Sequence, residues 1–155
     1  DLHEMIGSWA GAMGQCQFMP SSFEKYAQDF DQDGKRDIWM TKADVFASTA
    51  AYLSKSGWQA GQPWGHQIKL PENIDNNMLG VKVKKPLQFW RDAGVRLVGG
   101  GEVPMDAAVE ASIIQPGGKG YKVYIVYDNY RVLTKWNASS YFATSVMHLA
   151  ERLKS

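Results

Sequence analysis

A chain of 155 residues is long enough for one domain with a proper core, or for the larger part of one. Seventeen Lys and Arg against sixteen Asp and Glu leave a net charge of +1, which offers nothing to nucleic acid or an anionic membrane as a partner. The single cysteine, Cys16, excludes an internal disulfide and reads as a free buried thiol; no apolar run reaches transmembrane length and no signal peptide is visible, so the targeting segment of an exported parent would lie outside this chain.

Residues 1–20 carry Gly7, Gly11 and Gly14 among small and apolar residues, which predicts a tight turn and a short buried helix ending at Pro20. Ser21 and Glu24 stand at capping-box spacing, so a helix should start there and run to about Gln28.

The loop Asp29-Phe30-Asp31-Gln32-Asp33-Gly34-Lys35-Arg36-Asp37 follows, with acidic oxygens at every second position and a glycine after the third aspartate. A hard cation such as Ca²⁺ takes oxygen ligands, and one short loop can supply most of them from alternate side chains and a backbone carbonyl. In the EF-hand pattern Asp29, Asp31 and Asp33 are the first, third and fifth ligands, Gly34 makes the sharp turn, Lys35 offers its carbonyl, and Asp37 acts directly or through water. Met40 occupies the place of the closing glutamate, so Asp44 becomes the nearest source of the last carboxylate, in a loop longer than usual. A solvated acidic turn is the competing reading. Three alternating aspartates before a glycine favour the metal, in a structural role, because no nucleophile or base lies nearby.

Thr41-Lys42-Ala43-Asp44 is a second cap-like start, and Phe46, Ala50, Leu53 and Gly57 then share one face of a helix ending near Ser56. From Gly57 to Asn77 the chain is rich in Gly, Pro, Gln and Asn and reads as an ordered, irregular connection. Residues 80–84 alternate weakly as a strand, and Pro86 opens a short helix over 87–93 that Gly94 closes. Residues 108–114 predict a strand. Pro116-Gly117-Gly118 is a turn, and Asp128-Asn129 reads as a hairpin joining strands over 121–127 and 130–136. An amphipathic helix over 140–154 ends the chain, with Phe142, Val146, Leu149 and Leu153 on one face.

The order of elements argues for an α+β fold. It has a helical part with the acidic loop over 1–60, an irregular connection and small antiparallel β subdomain over 61–136, and a C-terminal core helix over 137–155. Aromatic residues make 12% of the chain, and several sit in polar, glycine-rich surroundings such as Gly7-Ser8-Trp9-Ala10-Gly11 and Gly57-Trp58-Gln59. Flat faces beside amides and hydroxyls suit sugar rings, although aromatic residues more often pack in cores.

The stretch from Gly7 to Phe23, Gly-Ser-Trp-Ala-Gly-Ala-Met-Gly-Gln-Cys-Gln-Phe-Met-Pro-Ser-Ser-Phe, is very similar to the signature of the membrane-bound lytic transglycosylase B family, glycoside hydrolase family 103. The Asp29 loop, the Tyr52 helix ending in Gly57-Trp58, and Trp136-Asn137-Ala138-Ser139-Ser140-Tyr141-Phe142 match in the family's order, so the resemblance spans nearly the whole chain. It implies a lysozyme-like core with a calcium loop, of which this chain holds a part. It also implies cleavage of the β-1,4 bond between N-acetylmuramic acid and N-acetylglucosamine in peptidoglycan strands. The product is a 1,6-anhydromuramic sugar, and the setting is the periplasm. The parent would be a monomer that can carry a lipid anchor.

In that family one glutamate protonates the leaving oxygen and then, as carboxylate, takes a proton from the muramic C6 hydroxyl, which closes onto C1; no second carboxylate is required. The family glutamate lies upstream of the Gly-Ser-Trp-Ala-Gly segment. Here Glu4 is the sole glutamate before Gly7, and it matches linker sequence with no apolar helix around it to raise its pKa. The catalytic acid is therefore expected outside this chain, which alone should be inactive. Glu24, Glu72, Glu102, Glu110 and Glu151 read as solvated.

The resemblance assigns Ser8 and Gln17 to the cleft near the reacting sugar, with Phe18 packing beside them and Tyr52 facing the reaction centre. Asn137 matches a sugar-contacting asparagine. Each has a structural rival: Gln17 as a buried amide bracing the glycine turn, Tyr52 as core, Asn137 as a helix cap. Phe142 stands where some relatives have tyrosine, which removes a hydroxyl at one subsite, and Cys16 replaces the usual proline or glycine. A non-catalytic glycan-binding module is the rival function, and a Ca²⁺ sensor a weaker one, since sensors usually carry paired loops.

Overall fold

The structure is a computed structural model and describes residues 7–153. The chain divides into two compact units, the first ending at Ser56 and the second starting at Gly57. The division into units thus falls a little before residue 60, and the C-terminal helix belongs with the sheet.

In the first unit, residues 7–18 form crossed turns closed by antiparallel bridges from Met13 to Gly7 and to Phe18. The short buried helix expected here does not form. Gly11, Gly14 and Gln17 all hold positive φ (+88°, +60° and +49°), which a right-handed helix cannot contain. Gly14 is also required by space, because a Cβ there would lie 2.5 Å from the Ile38 carbonyl oxygen.

Helix α1 (Pro20–Tyr26) starts with proline in its first turn and Met19 as N-cap, so Ser21 and Glu24 make no capping box. Helix α2 (Lys42–Lys55) buries Asp44, Val45 and Ser48. Phe46, expected on the buried face, is 69% exposed. The burial is set by Asp44 turning inward to the acidic loop, which rotates the predicted stripe outward.

In the second unit the described residues give β1 (Gly65–Lys69), β2 (Lys85–Pro86), β3 (Arg96–Leu97), β4 (Glu110–Ile114) and β5 (Val123–Val126). These form one antiparallel sheet in the order β2-β4-β5-β1-β3. Helices α3 (Leu87–Asp92), α4 (Asp128–Trp136) and α5 (Ser140–Arg152) complete the unit. Strand β1 lies where an irregular connection was expected, and Gly65 lets it in: a Cβ there would meet the Ile125 carbonyl oxygen at 2.5 Å. Residues 80–84 are turn and bend instead of strand.

Asp128-Asn129 is no hairpin. It opens α4, with Asp128 in the first turn and paired to Arg131 at 2.7 Å, one turn along. Tyr130 and Leu133 then bury together on the helical period.

Strands β4 and β5 are buried almost throughout because both faces of the sheet are covered. Ile68, Ala111, Ile113, Val123 and Ile125 pack with Leu87, Trp90, Val95 and Val103 in the main core. Trp90 is fully buried and donates its indole N–H to the Ala111 carbonyl at 3.1 Å. Each such side chain contributes about 1.5–3 kcal/mol. Alternate residues point the other way, where Tyr124 meets Trp64 and His148 at ring distances of 5.7 and 5.4 Å.

Candidate functional site

The acidic loop is held by its own carboxylates. Asp29 Oδ2 accepts the Gly34 N–H at 3.0 Å, Asp31 Oδ1 the Asp33 N–H at 3.4 Å, and Asp33 Oδ1 the Lys35 N–H at 2.8 Å. Gly34 takes φ +87°, the left-handed turn its position demands. Asp44 reaches back from the first turn of α2, fully buried, and accepts the N–H of Phe30 at 2.7 Å and of Asp37 at 2.8 Å.

This folding brings carboxylate oxygens of Asp29, Asp31 and Asp44 within 4.8 Å of one another. Asp29 Oδ1 is buried there with no hydrogen-bond partner among the described residues, as an oxygen reserved for a cation would be. Asp33 stands outside that cluster of three. Asp37 braces the entry to α2 through the N–H groups of Met40 and Trp39, both at 2.9 Å, and the Thr41 hydroxyl at 3.4 Å. Those backbone bonds, Met40 first, hold the Asp37 carboxyl below its ordinary range. Met40 itself is 70% exposed.

The loop exit is tied to the glycine turns, since the Ile38 carbonyl accepts the Gln15 N–H at 2.8 Å and Trp39 O accepts from Gln15 Nε2 at 2.6 Å. On those turns the Ser8 hydroxyl accepts the Ala12 N–H at 3.0 Å, and Trp9 stands wholly in solvent at the tip. Gln17 is exposed and donates its amide to the Gly14 carbonyl at 2.9 Å, so it braces the turn from outside and not as a buried amide.

Phe18 is buried against Tyr52, centroids 5.7 Å apart, and Tyr26 joins them at 4.8 Å from Tyr52. Tyr52 is half-buried, and that burial pushes its hydroxyl pKa up, so it remains a neutral donor. Tyr26 had no sequence signal of its own beyond ending α1. Cys16 is a free buried thiol whose pKa burial raises, with Val45 O and the Thr49 hydroxyl as neighbours.

Replacing Gln17 with alanine should shift stability by no more than about 0.5 kcal/mol, since the side chain is exposed. Thermal melting checks this, and sacculus binding should weaken at the same time if the amide holds sugar.

In the second unit Asn137 ends α4 and is exposed; its Oδ1 accepts the Ser139 N–H at 2.9 Å. The N-cap of α5 is Ser139, whose hydroxyl accepts the Phe142 N–H at 3.3 Å. Glu24, Glu72, Glu102, Glu110 and Glu151 are all exposed, and Glu4 lies outside the described residues.

The Transglycosylase SLT domain family matches residues 1–151. Membrane-bound lytic murein transglycosylase B of Escherichia coli (strain K12) is 32% identical over 154 residues, which is 97% of this chain and 40% of that protein. SltB3 from Pseudomonas aeruginosa, solved in complex with NAG-anhNAM-pentapeptide and with NAG-NAM-pentapeptide, is 46% identical over 100% of this chain and 42% of its own, with a TM-score of 0.92. The Escherichia coli lytic transglycosylase Slt35 in complex with calcium superposes with a TM-score of 0.81 at 30% identity, over 97% of this chain and 46% of that one. The chain spans less than half the length of these relatives. Mixed helices and an antiparallel sheet here are the lysozyme-like lytic transglycosylase fold. With the family match running almost end to end, the chain belongs to the Transglycosylase SLT domain family.

Proposed function

We propose that this chain is the glycan-binding part of a periplasmic peptidoglycan lytic transglycosylase. The enzyme breaks the β-1,4 bond between N-acetylmuramic acid and N-acetylglucosamine and leaves a 1,6-anhydromuramic end. The observation that carries this reading is 46% identity, over the full chain, to a protein solved with both NAG-NAM-pentapeptide and NAG-anhNAM-pentapeptide. Those two molecules differ by the anhydro closure that the reaction would make.

A single acid suffices for it. The acid protonates the leaving oxygen, and its carboxylate then removes the C6 hydroxyl proton as that oxygen closes on C1. All described glutamates are exposed, whereas such an acid needs an apolar setting; it is expected from the remainder of the enzyme. This chain's residues would hold the strand. In the first unit Ser8 and Gln17 offer a hydroxyl and an amide to acetamido groups, on a surface backed by Phe18 and Tyr52. In the second unit, taken by itself, Asn137 would offer an amide to sugar.

Ca²⁺ would be a structural ion held by Asp29, Asp31 and Asp44, with Asp33 and the Lys35 carbonyl next along the loop. It would neutralise carboxylates that otherwise repel one another. Calcium at a hundred times its Kd should stabilise the chain by about 2.7 kcal/mol, reversed by chelator. Joint replacement of Asp29 and Asp31 by asparagine should abolish that response in thermal melts. A chelator effect that survives in the double variant would sink the assignment.

The direct test incubates purified sacculi with the chain, then pellets them and analyses the supernatant by mass spectrometry. The expected result is binding without release of 1,6-anhydromuropeptides. Release would place the acid within this chain and make Glu4 the first residue to replace. Failure to pellet with sacculi would overturn the glycan-binding reading.

A further inference from the structure

A hollow of about 190 Å³ lies in the second unit between the loop after β4 and the outer face of α5. It is smaller than the roughly 300–1,000 Å³ of pockets for drug-sized ligands, so it suits one ring and not a length of strand. Gly117, Tyr121, Lys122, Tyr141, Ser145 and His148 line it.

We propose that this hollow binds a single pyranose ring bearing a carboxylate, the chemistry of N-acetylmuramic acid. The inference rests on the reading that the chain meets murein glycan, and adds a pocket that lies wholly within the second unit.

Two aromatic walls carry the argument. Tyr121 is 66% exposed and Tyr141 63% exposed, both at the same hollow. A folded chain gains by covering such rings, and sugar C–H faces would cover them. Tyr121 is nevertheless held in place. Its ring lies against the Gly117 backbone, where an added Cβ would come 2.5 Å from Tyr121 Cγ. The loop is closed by the Gly118 N–H to Gln115 O at 2.9 Å, the Tyr121 N–H to Gly118 O at 3.2 Å, and Gln115 Nε2 to Tyr121 O at 3.1 Å.

At the base, the Tyr124 hydroxyl and His148 Nε2 are 3.0 Å apart, and His148 Nδ1 is 3.5 Å from Glu151 Oε2. Glu151 Oε1 in turn accepts the Trp64 indole N–H at 2.7 Å, which fixes the chain of bonds at its far end. Burial pushes the Tyr124 pKa up and keeps this floor a neutral phenol. No carboxylate lines the hollow, and Lys122 at its rim has no ion-pair partner among the described residues. The Glu151 carboxylate behind His148 is engaged by His148 and the Trp64 indole, which leaves rings, hydroxyls and the Lys122 ammonium to favour an acidic sugar.

The test titrates the isotope-labelled 155-residue chain with N-acetylmuramic acid and, separately, N-acetylglucosamine, followed by amide chemical shifts. Shifts at Gly117, Tyr121 and Ser145 are expected, stronger for the acidic sugar. Tyr121→Ala with Tyr141→Ala should weaken binding about tenfold. Gly117→Ala, which keeps both tyrosines and displaces one ring, should weaken it as well. Lys122→Gln should remove the preference for the acidic sugar. Shifts confined to Ser8, Gln17 and their neighbours would overturn the pocket and leave the proposed function standing. Silence across the chain while sacculi still pellet would also overturn the pocket alone. Pocket shifts that persist unchanged in the variants would overturn the assignment of its walls.

Discussion

Replacing Asp44 with alanine should destabilise the first unit by about 2–5 kcal/mol, because two inward-facing N–H donors lose their only carboxylate. The side chain is fully buried and bonds Phe30 and Asp37, which bracket the acidic loop on both sides. Asp44→Asn should fall between: its oxygen can still take one N–H, while its NH₂ faces the other. Urea titrations with and without Ca²⁺ separate its hydrogen bonding from the proposed ion binding. In chelator, the whole loss measures hydrogen bonding. An additional gap between wild type and variant in Ca²⁺ would measure the share of Asp44 in the proposed ion site. A loss below about 1 kcal/mol in chelator would mean the loop closes without Asp44.

Asn129→Asp is expected to have a comparable effect, for the opposite reason. Asn129 is 1% exposed and bonds three ways: its Oδ1 accepts the Gln59 N–H at 2.8 Å, and its Nδ2 donates to Gln59 O at 2.8 Å and Gln62 O at 2.9 Å. A carboxylate keeps the first bond and turns negative oxygen toward two carbonyls. The expected loss is about 3 kcal/mol or more at neutral pH. Protonation would restore one donor, so the folded-state pKa of the new carboxyl must lie above its unfolded value. Its stability is then greatest below the unfolded carboxylate pKa and is lost as pH rises through the folded one. Denaturant midpoints from pH 4 to pH 7 should therefore diverge between variant and wild type. Parallel curves would contradict this reading of the site.

Elements whose limits are local chemistry could be read from the chain. Thr41 and Ser56 bound α2, Pro86 and Gly94 bound α3, and Ser139 opens α5 one residue before the predicted start. The acidic loop was equally visible, since alternate aspartates before Gly34 are a local pattern. Outside the glycine turns and the start of α1, what failed depends on distant partners. β1 has one aliphatic side chain, Ile68, and exists because β5 and β3 flank it. Asp128-Asn129 carries a turn signature, but Asn129 is claimed by Gln59 and Gln62, far back in the chain, and a helix follows. The exposed side of α2 was misjudged because a buried carboxylate, not an apolar stripe, decides which way it faces.

The site divides in the same way. Spacing singled out Asp29 and Asp31 and the missing closing glutamate singled out Asp44, and the fold brings the carboxylates of these three together. That Asp37 would serve the helix entry instead depends on Trp39, Met40 and Thr41 turning toward it. That Tyr121 and Tyr141 line one hollow had no linear signal, as they come from elements that meet only in the folded unit.

The strand order sets a timetable for synthesis. β1 emerges early, yet one of its edges pairs with β5, so Gly65 waits for Val126 before that edge is filled. Until then only the short β3 contact can cover β1. Contacts so far apart in sequence form slowly. A ribosome pausing before Val126 would therefore present a half-built sheet with open edges, the kind of species chaperones engage. Codon choice and translation speed across the stretch between the two strands would then bear on the yield of folded protein.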